Sequence, residues 1–261
     1  MLAIPRRRIR TGLDKPAYPV RWRADDDLAR DLVAAWIFNE GAGPALDLTR
    51  RGLDESARDG AVWAQTRRGF GLSVNGNEHI EIANNARLNT PRASYAVILN
   101  PTNLTGFKVL LNYGGADRVS LHTSGSTFVT YVNNNSLATA SLLTVNTPVH
   151  LCSTYDGTTH KLYIDGRFRV EEAPGVGDLG TTTAIMYIGE AVAGGSGVIG
   201  VFDSVWVWSE ALTPAQVFEH WRNPYGLCEP LQRRVWVPVA AAGGGGAVIP
   251  IFMAQYRQRA A

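Results

Sequence analysis

The apolar positions change period once within Ile185 to Arg222, IMYIGEAVAGGSGVIGVFDSVWVWSEALTPAQVFEHWR. From Val198 to Trp208 they alternate loosely, and Val205, Trp206, Val207 and Trp208 run together, the pattern of a strand buried against a second layer on part of both faces. Thr213 then reads as a helix N-cap. Pro214 stands where a missing N–H costs nothing, and Gln216 completes a capping box with Thr213. Asn223-Pro224 ends that helix after about two turns. The segment therefore predicts a strand, a glycine-rich loop, a strand and one short capped helix.

Upstream the pattern is one of short strands and tight turns. Asp156-Gly157 and Asp165-Gly166 are hairpin dipeptides, and between them Lys161 to Ile164 alternates polar and apolar. Asn75-Gly76 is a further positive-φ turn signal, between Leu72-x-Val74 and the alternating His79-Ile80-Glu81-Ile82. Beyond the Thr213 helix, only the Asp25 to Val33 approach to the first strand has any helical character. Alternation places Trp36, Phe38, Val74, Ile80, Leu151, Leu162, Ile164, Ile188, Val205 and Val207 in a core between two sheets. Trp63, Trp206 and Trp208 lie in apolar runs and are read as core as well.

Four segments resemble, in order, the motifs of the concanavalin A-like LamG (laminin G-type) family. LVAAWIFNEGAGPALDL, from Leu32 to Leu48, is similar to its opening "hAYWpFdEGsG", and FGLSVNGNEHIEI, from Phe70 to Ile82, to "aLsFdGsdDYVdV". HLCSTYDGTTHKLYIDGR, from His150 to Arg167, resembles "HvalTYDGstlrLYvNG", and Gly200 to Leu212 resembles "GxIDEVRIYnrAL". The resemblance implies an all-β fold: a concanavalin A-like/LamG jelly-roll β-sandwich over residues 30–227 with one short C-terminal helix. Extended arms flank it at 1–29 and 228–261. Motifs of this kind build turns and core, so they specify a fold and leave the activity open.

Composition sharpens this organisation. A chain of 261 residues with 45% hydrophobic content suffices for one large sandwich plus extensions. No run of about 18 apolar residues occurs, so no membrane span is expected, and the start leads directly into Arg6-Arg7-Arg8, so no cleaved export signal is expected. Cys152, inside a predicted core strand, and Cys228, in the tail, read as two thiols rather than a disulfide. The formal net charge of +2 conceals an uneven distribution. Residues 1–23 carry seven basic side chains against Asp14, a local +6, and residues 228–261 carry four against Glu229, a local +3, which leaves 24–227 at −7. Basic arms on an acidic body suit either electrostatic docking onto a neighbour or solvated tails.

The C-terminal arm has a resemblance of its own. Asn223-Pro224-Tyr225-Gly226-Leu227, then Pro230 and Arg233-Arg234-Val235-Trp236-Val237-Pro238-Val239, is similar to the "NPWqLFxPrrrxiWVPv" ending of LamG-containing structural proteins of tailed bacteriophages. That resemblance implies localisation in a virion, as a capsid decoration protein or a tail or fibre component, with major capsid or tail proteins and further copies of the chain as partners. Arg6, Arg7, Arg8, Arg10, Arg233, Arg234, Trp236 and Val237 are the expected assembly residues, the arginines steering and Trp236 anchoring. Nucleic acid is not the expected partner of the arginine cluster, because no recognition fold accompanies it and the body is acidic.

Catalytic chemistry finds little support in the sequence. Retaining glycan hydrolases on this architecture set their carboxylates on one strand as E-x-D-x-x-E, since residues two apart share a face, and the chain has no such pattern. His79, His122, His150, His160 and His220 lack metal-ligand spacing, and no nucleophile elbow, phosphate loop or dinucleotide fingerprint occurs. A non-enzymatic protein without a cofactor is expected. The family resemblance implies that glycan and calcium, where bound, sit at one rim, held by loop oxygens. The corresponding candidates are Asn77, Glu78, Asp117 and Asn134, with Tyr113 and Tyr131 as exposed rings on which a sugar could stack. One acid, Glu78, where the family often has two makes calcium a weak expectation, and Asn133-Asn134-Asn135 reads first as a turn. The expected function is a virion structural protein displaying a lectin-like sandwich, the alternative a carbohydrate-binding adhesion module for a bacterial surface glycan.

Overall fold

The computed structural model describes residues 15–16, 20–24, 26–114, 118–190 and 196–230. The chain runs through β1 (Val20–Trp22), β2 (Leu32–Trp36), β3 (Glu55–Asp59), β4 (Val62–Thr66), β5 (Gly69–Asn75), β6 (His79–Ile82), β7 (Ala93–Asn103), β8 (Phe107–Tyr113) and β9 (Val119–Ser124). It continues through β10 (Thr127–Val132), β11 (Asn135–Ser141), β12 (Val149–Tyr155), β13 (His160–Ile164), β14 (Arg167–Glu172), β15 (Met186–Ile188), β16 (Ile199–Trp208), α1 (Pro214–Arg222) and β17 (Cys228–Pro230). Asp27–Ala29, in the approach to the first sandwich strand, forms one short 3-10 turn.

Two antiparallel sheets pack face to face. One has seven strands in the order β11-β10-β9-β8-β15-β6-β3; the other follows β14-β13-β12-β7-β16-β5-β4, with β2 also beside β16. β16 is long enough to serve two partners along one edge, β5 against Ile199 to Phe202 and β2 against Val205 to Trp208. All ten side chains assigned to the core by alternation are buried there, and Trp36 satisfies its indole by donating to the Leu53 carbonyl at 2.8 Å. Asp165 and Gly166, at φ 52° and 70°, make the expected hairpin turn between β13 and β14. A Cβ at Gly166 would also stand 2.9 Å from the Trp221 side chain, so this turn excludes other residues twice over. Thr213 and Gln216 form the predicted capping box, with Pro214 opening α1 and Asn223 closing it.

The consecutive apolar run of β16 is explained by a third layer. Val205 and Val207 point into the sandwich, while Trp206 and Trp208 point outward and stack on each other at 6.2 Å between ring centroids. α1 lays His220 edge-on against both indoles, and Val217, Leu212, Tyr225, Leu227 and Cys228 complete the cover. Segments that the sequence assigned to the two arms close this layer: β1 pairs with β17, Val20 opposite Pro230 and Trp22 opposite Cys228. Val20, Leu28 and Ala29 belong to the same apolar cluster. Cys152 and Cys228 are both buried thiols within it.

Lys15 is buried too. Its ammonium meets the carbonyls of Phe38 and Phe70 and lies 3.4 Å from Asp203. Desolvation outweighs the attraction of Asp203 and lowers its pKa to about 8. Trp63 packs against the core as a half-buried side chain, with the Arg58 guanidinium over its ring and its indole donating to Gly43 at the surface.

Candidate functional site

The third layer covers the outer face of one sheet, whereas the outer face of the seven-stranded sheet keeps Tyr131, Asn112, Tyr187 and Glu81 part-exposed around a buried Ser120, His122 and Val109. Antiparallel register aligns one residue from each strand across it. Ser136 of β11 stands opposite Tyr131 of β10, then Ser120 of β9, Asn112 of β8, Tyr187 of β15 and Glu81 of β6. Strand alternation forces the whole row outward, because Val132, Leu121, Leu111, Ile188 and Ile82 take the inward parity. Tyr131 and Tyr187 are part-exposed, three strand steps apart, or about 14 Å at the usual strand spacing. Between them the Asn112 amide donates to the Ser120 hydroxyl at 3.1 Å. Neither tyrosine hydroxyl has a hydrogen-bond partner among the described residues.

Each tyrosine is braced by a histidine. At one end His122 packs edge-to-face on Tyr131 at 5.3 Å and under Phe107 at 4.3 Å, beside Val109 and Val129 of the neighbouring row. Burial lowers the His122 pKa to about 4, so the ring is neutral at physiological pH and serves as a flat apolar support. Opposite, His79 meets Tyr187 at 5.3 Å, its Nε2 is 3.5 Å from Glu81 and its Nδ1 4.0 Å from Glu190. Burial, and secondarily the Glu81 carboxylate, raises the Tyr187 phenol pKa and keeps it protonated. The face thus offers two rings for stacking, with the Asn112 amide between them and the Glu81 carboxylate beside them to exchange hydrogen bonds with a polyhydroxylated ligand, while Ser120, buried beneath Asn112, positions that amide.

The candidate residues named from sequence do not assemble at one rim. Tyr131 lies on this face, whereas Tyr113 is fully buried, donating its hydroxyl to Asn89 at 3.0 Å beneath the Arg118 guanidinium. The cause is a bulge in β8 between Val109 and Leu111, which reverses parity so that Asn112 faces out and Tyr113 in. Asn77 and Glu78 sit in the β5–β6 turn, and Asn134, at φ 65°, in the β10–β11 turn at the opposite corner of the sheet. The neighbouring amides hold that turn together, Asn133 donating to Asp178 and Asn135 to Asn133. Asp117 and the assembly residues Arg6, Arg7, Arg8, Arg10, Arg233, Arg234, Trp236 and Val237 lie outside the described residues. Sequence reasoning missed Asn112, Glu81 and Tyr187. The Met186-Tyr187-Ile188 alternation was the available signal for Tyr187.

Other features of the molecule are structural. A cavity of about 360 Å³ between β1 and the 40–54 loop includes Glu40, Asp47 and Asp54. The Asp47 carboxylate in it is fully engaged by the backbone of Ala35, Thr49 and Arg51 and by the Thr49 hydroxyl. Among the described residues no group of three or more His, Cys, Asp or Glu could hold a metal ion, and no helix is long and apolar enough to cross a membrane.

Residues 74–218 match the family described as the concanavalin A-like lectin/glucanases superfamily. No curated protein is recognisably similar in sequence. Among solved structures, domain 4 of AbnA, an extracellular arabinanase of Geobacillus stearothermophilus crystallised with arabinotriose, superposes with a TM-score of 0.59 at 16% identity, covering 72% of this chain and 97% of that one. The binding domain of Paraclostridial Mosquitocidal Protein 1 gives 0.63 at 14% identity, over 77% of this chain and 54% of that one. The carbohydrate-binding module of a Ruminococcus gnavus sialidase, bound to α2,3 sialyllactose, gives 0.50 at 11%, over 57% and 95%. At these identities the likeness is one of fold.

Proposed function

Because the chain belongs to the concanavalin A-like lectin/glucanase superfamily, we propose that it is a non-catalytic glycan-binding module whose ligand lies across the outer face of the seven-stranded sheet. The observation that carries this reading is the row Tyr131, Ser120, Asn112, Tyr187, Glu81, where two part-exposed rings bracket hydrogen-bonding groups on the sheet face that the third layer leaves open. Neighbours that bind arabinotriose and sialyllactose lend the fold-level precedent. Stacking rigid rings on sugar faces costs little side-chain entropy, and the intervening polar groups orient the chain. The test is a glycan array followed by titration calorimetry with the intact protein, Tyr131→Ala and Tyr187→Ala. Each substitution is expected to weaken binding about tenfold, the scale of a truncated aromatic anchor. Binding that survives both substitutions unchanged refutes the assignment of the face.

A second reading concerns attachment, and β1 with β17 favours it. Their pairing brings Val20 beside Pro230, so the two basic arms join the body together, on the layer that covers the sheet opposite the glycan face. Basic arms on an acidic body that carries a lectin-like face suit a display protein held to an acidic neighbour through its arms. The resemblance of the C-terminal arm suggests a tailed-phage virion as that setting. Deleting 1–13 and 231–261 should abolish incorporation into particles while glycan binding persists; incorporation without the arms refutes this reading.

A further inference from the structure

Every strand of the seven-stranded sheet contributes to the open face, and none places a lysine or arginine there. The two basic residues of these strands, Lys108 and Arg58, pair with Thr123 and Ile80 on the inward parity. What the face does carry is acidic: Glu81 in the tyrosine row and Asp59 opposite His79 on β3. Glu81 stands opposite Tyr187 across the β15–β6 register, so a sugar ring stacked on Tyr187 has a carboxylate at its edge. Carboxylates accept from hydroxyl or ammonium donors and repel other carboxylates, and no lysine or arginine on this face offsets that repulsion. The His122 imidazole at the far platform is held neutral, so it supplies no positive charge either. Resting on the glycan-binding reading above, we propose that the face selects neutral or amino sugars and rejects glycans with carboxylated residues, uronic or sialic acids among them.

Selection works at the Tyr187 end. Glu81 accepts from vicinal hydroxyls or a free amine of the ring on Tyr187, while Tyr131, backed by His122 and Phe107, stacks a second ring without charge discrimination. His79, 3.5 Å from Glu81 and edge-on to Tyr187, braces both against the sheet. A carboxylated sugar at this end would put two like charges within a few ångströms, which at about 4 Å costs about fivefold in affinity in bulk water and more at a partly desolvated surface.

The experiment uses the full chain on an array of oligosaccharides in four classes: neutral, amino (deacetylated chitin oligomers), uronic and sialylated. Calorimetry then measures the hits at low and physiological salt. Hits are expected only in the neutral and amino classes, with amino sugars weakening as salt rises and neutral ones unaffected. Glu81→Gln should weaken amino-sugar binding about fivefold and gain measurable affinity for a uronic oligomer, because it removes charge and keeps shape. Preferred binding of uronic or sialylated oligomers that is lost in Tyr131→Ala overturns the charge selection and leaves the glycan face standing. Binding of neutral sugars that ignores Tyr131→Ala and Tyr187→Ala overturns both, since the ligand then lies elsewhere.

Discussion

Lowering the pH from 8 to 5 should destabilise this protein by about 4 kcal/mol or more, because its interior histidines are held neutral. His150 Nε2 and His220 Nδ1 are 3.0 Å apart under α1, with residue exposures of 3% and 1%, so both cannot carry a proton. His160 lies between the Thr130 and Ser153 hydroxyls at 2.8 and 2.9 Å. Burial lowers the His150 pKa to about 3 and that of His160 to about 4, and moves His220 in the same direction with His150 as a second cause. Since these native values lie below the unfolded value near 6.5, the unfolded chain takes up protons first as the pH falls. Stability from these groups is complete above about pH 7 and declines from about 6.5 toward the native pKa values. At pH 5 each of His150 and His160 forfeits about 2 kcal/mol, from about 1.4 kcal/mol per pH unit. Together they remove about 4 kcal/mol from a total typically near 5–15 kcal/mol, and His220 and His122 add to the loss. Lys15, with its pKa near 8, stays charged in both states across most of this window and scarcely contributes. Urea unfolding at pH 8, 7, 6 and 5, followed by the fluorescence of the stacked Trp206 and Trp208, measures the effect. His150→Gln, which cannot titrate, should flatten the pH slope below 6.5 by up to one proton. A flat profile from pH 8 to 5, or a His150→Gln slope equal to that of the unsubstituted chain, refutes the reasoning.

Three further outcomes follow from the architecture. Thr213→Ala removes the hydroxyl that accepts from the Gln216 amide and should cost about 1 kcal/mol in chemical unfolding, since Pro214 remains to start the helix. Asp203→Asn strands the buried Lys15 ammonium and should cost about 3–5 kcal/mol, whereas Lys15→Met should cost distinctly less, because Arg68 at 3.6 Å continues to compensate Asp203; equal losses would show that Arg68 does not share the charge. Millimolar calcium should raise the melting temperature by less than about 1 °C in a thermal scan, because no cluster of three acidic or metal-ligating residues exists among the described residues, and a shift of several degrees would reveal a site.

What the sequence determined by itself was local or periodic. The Asp165-Gly166 turn, the Thr213–Gln216 capping box and the inward parity of Leu162, Ile164, Val205 and Val207 rest on contacts or alternation within a few residues, so they are legible in the one-dimensional string. Contiguous Val205 to Trp208 announced burial on both faces, although the string could not say that α1, β1 and β17 supply the second cover. The binding face needed the tertiary structure. Its row draws Tyr131, Ser120, Asn112, Tyr187 and Glu81 from five strands spanning residues 79–188, and cross-strand register is set by pairing between segments distant in sequence. The β8 bulge shows the limit most directly. Phe107, Val109, Leu111 and Tyr113 share one parity on paper, yet the extra residue before Leu111 sends Tyr113 into the core and Asn112 to the surface. That irregularity arises where β8 must match β9 on one edge and β15 on the other, a constraint no single strand carries in its own sequence.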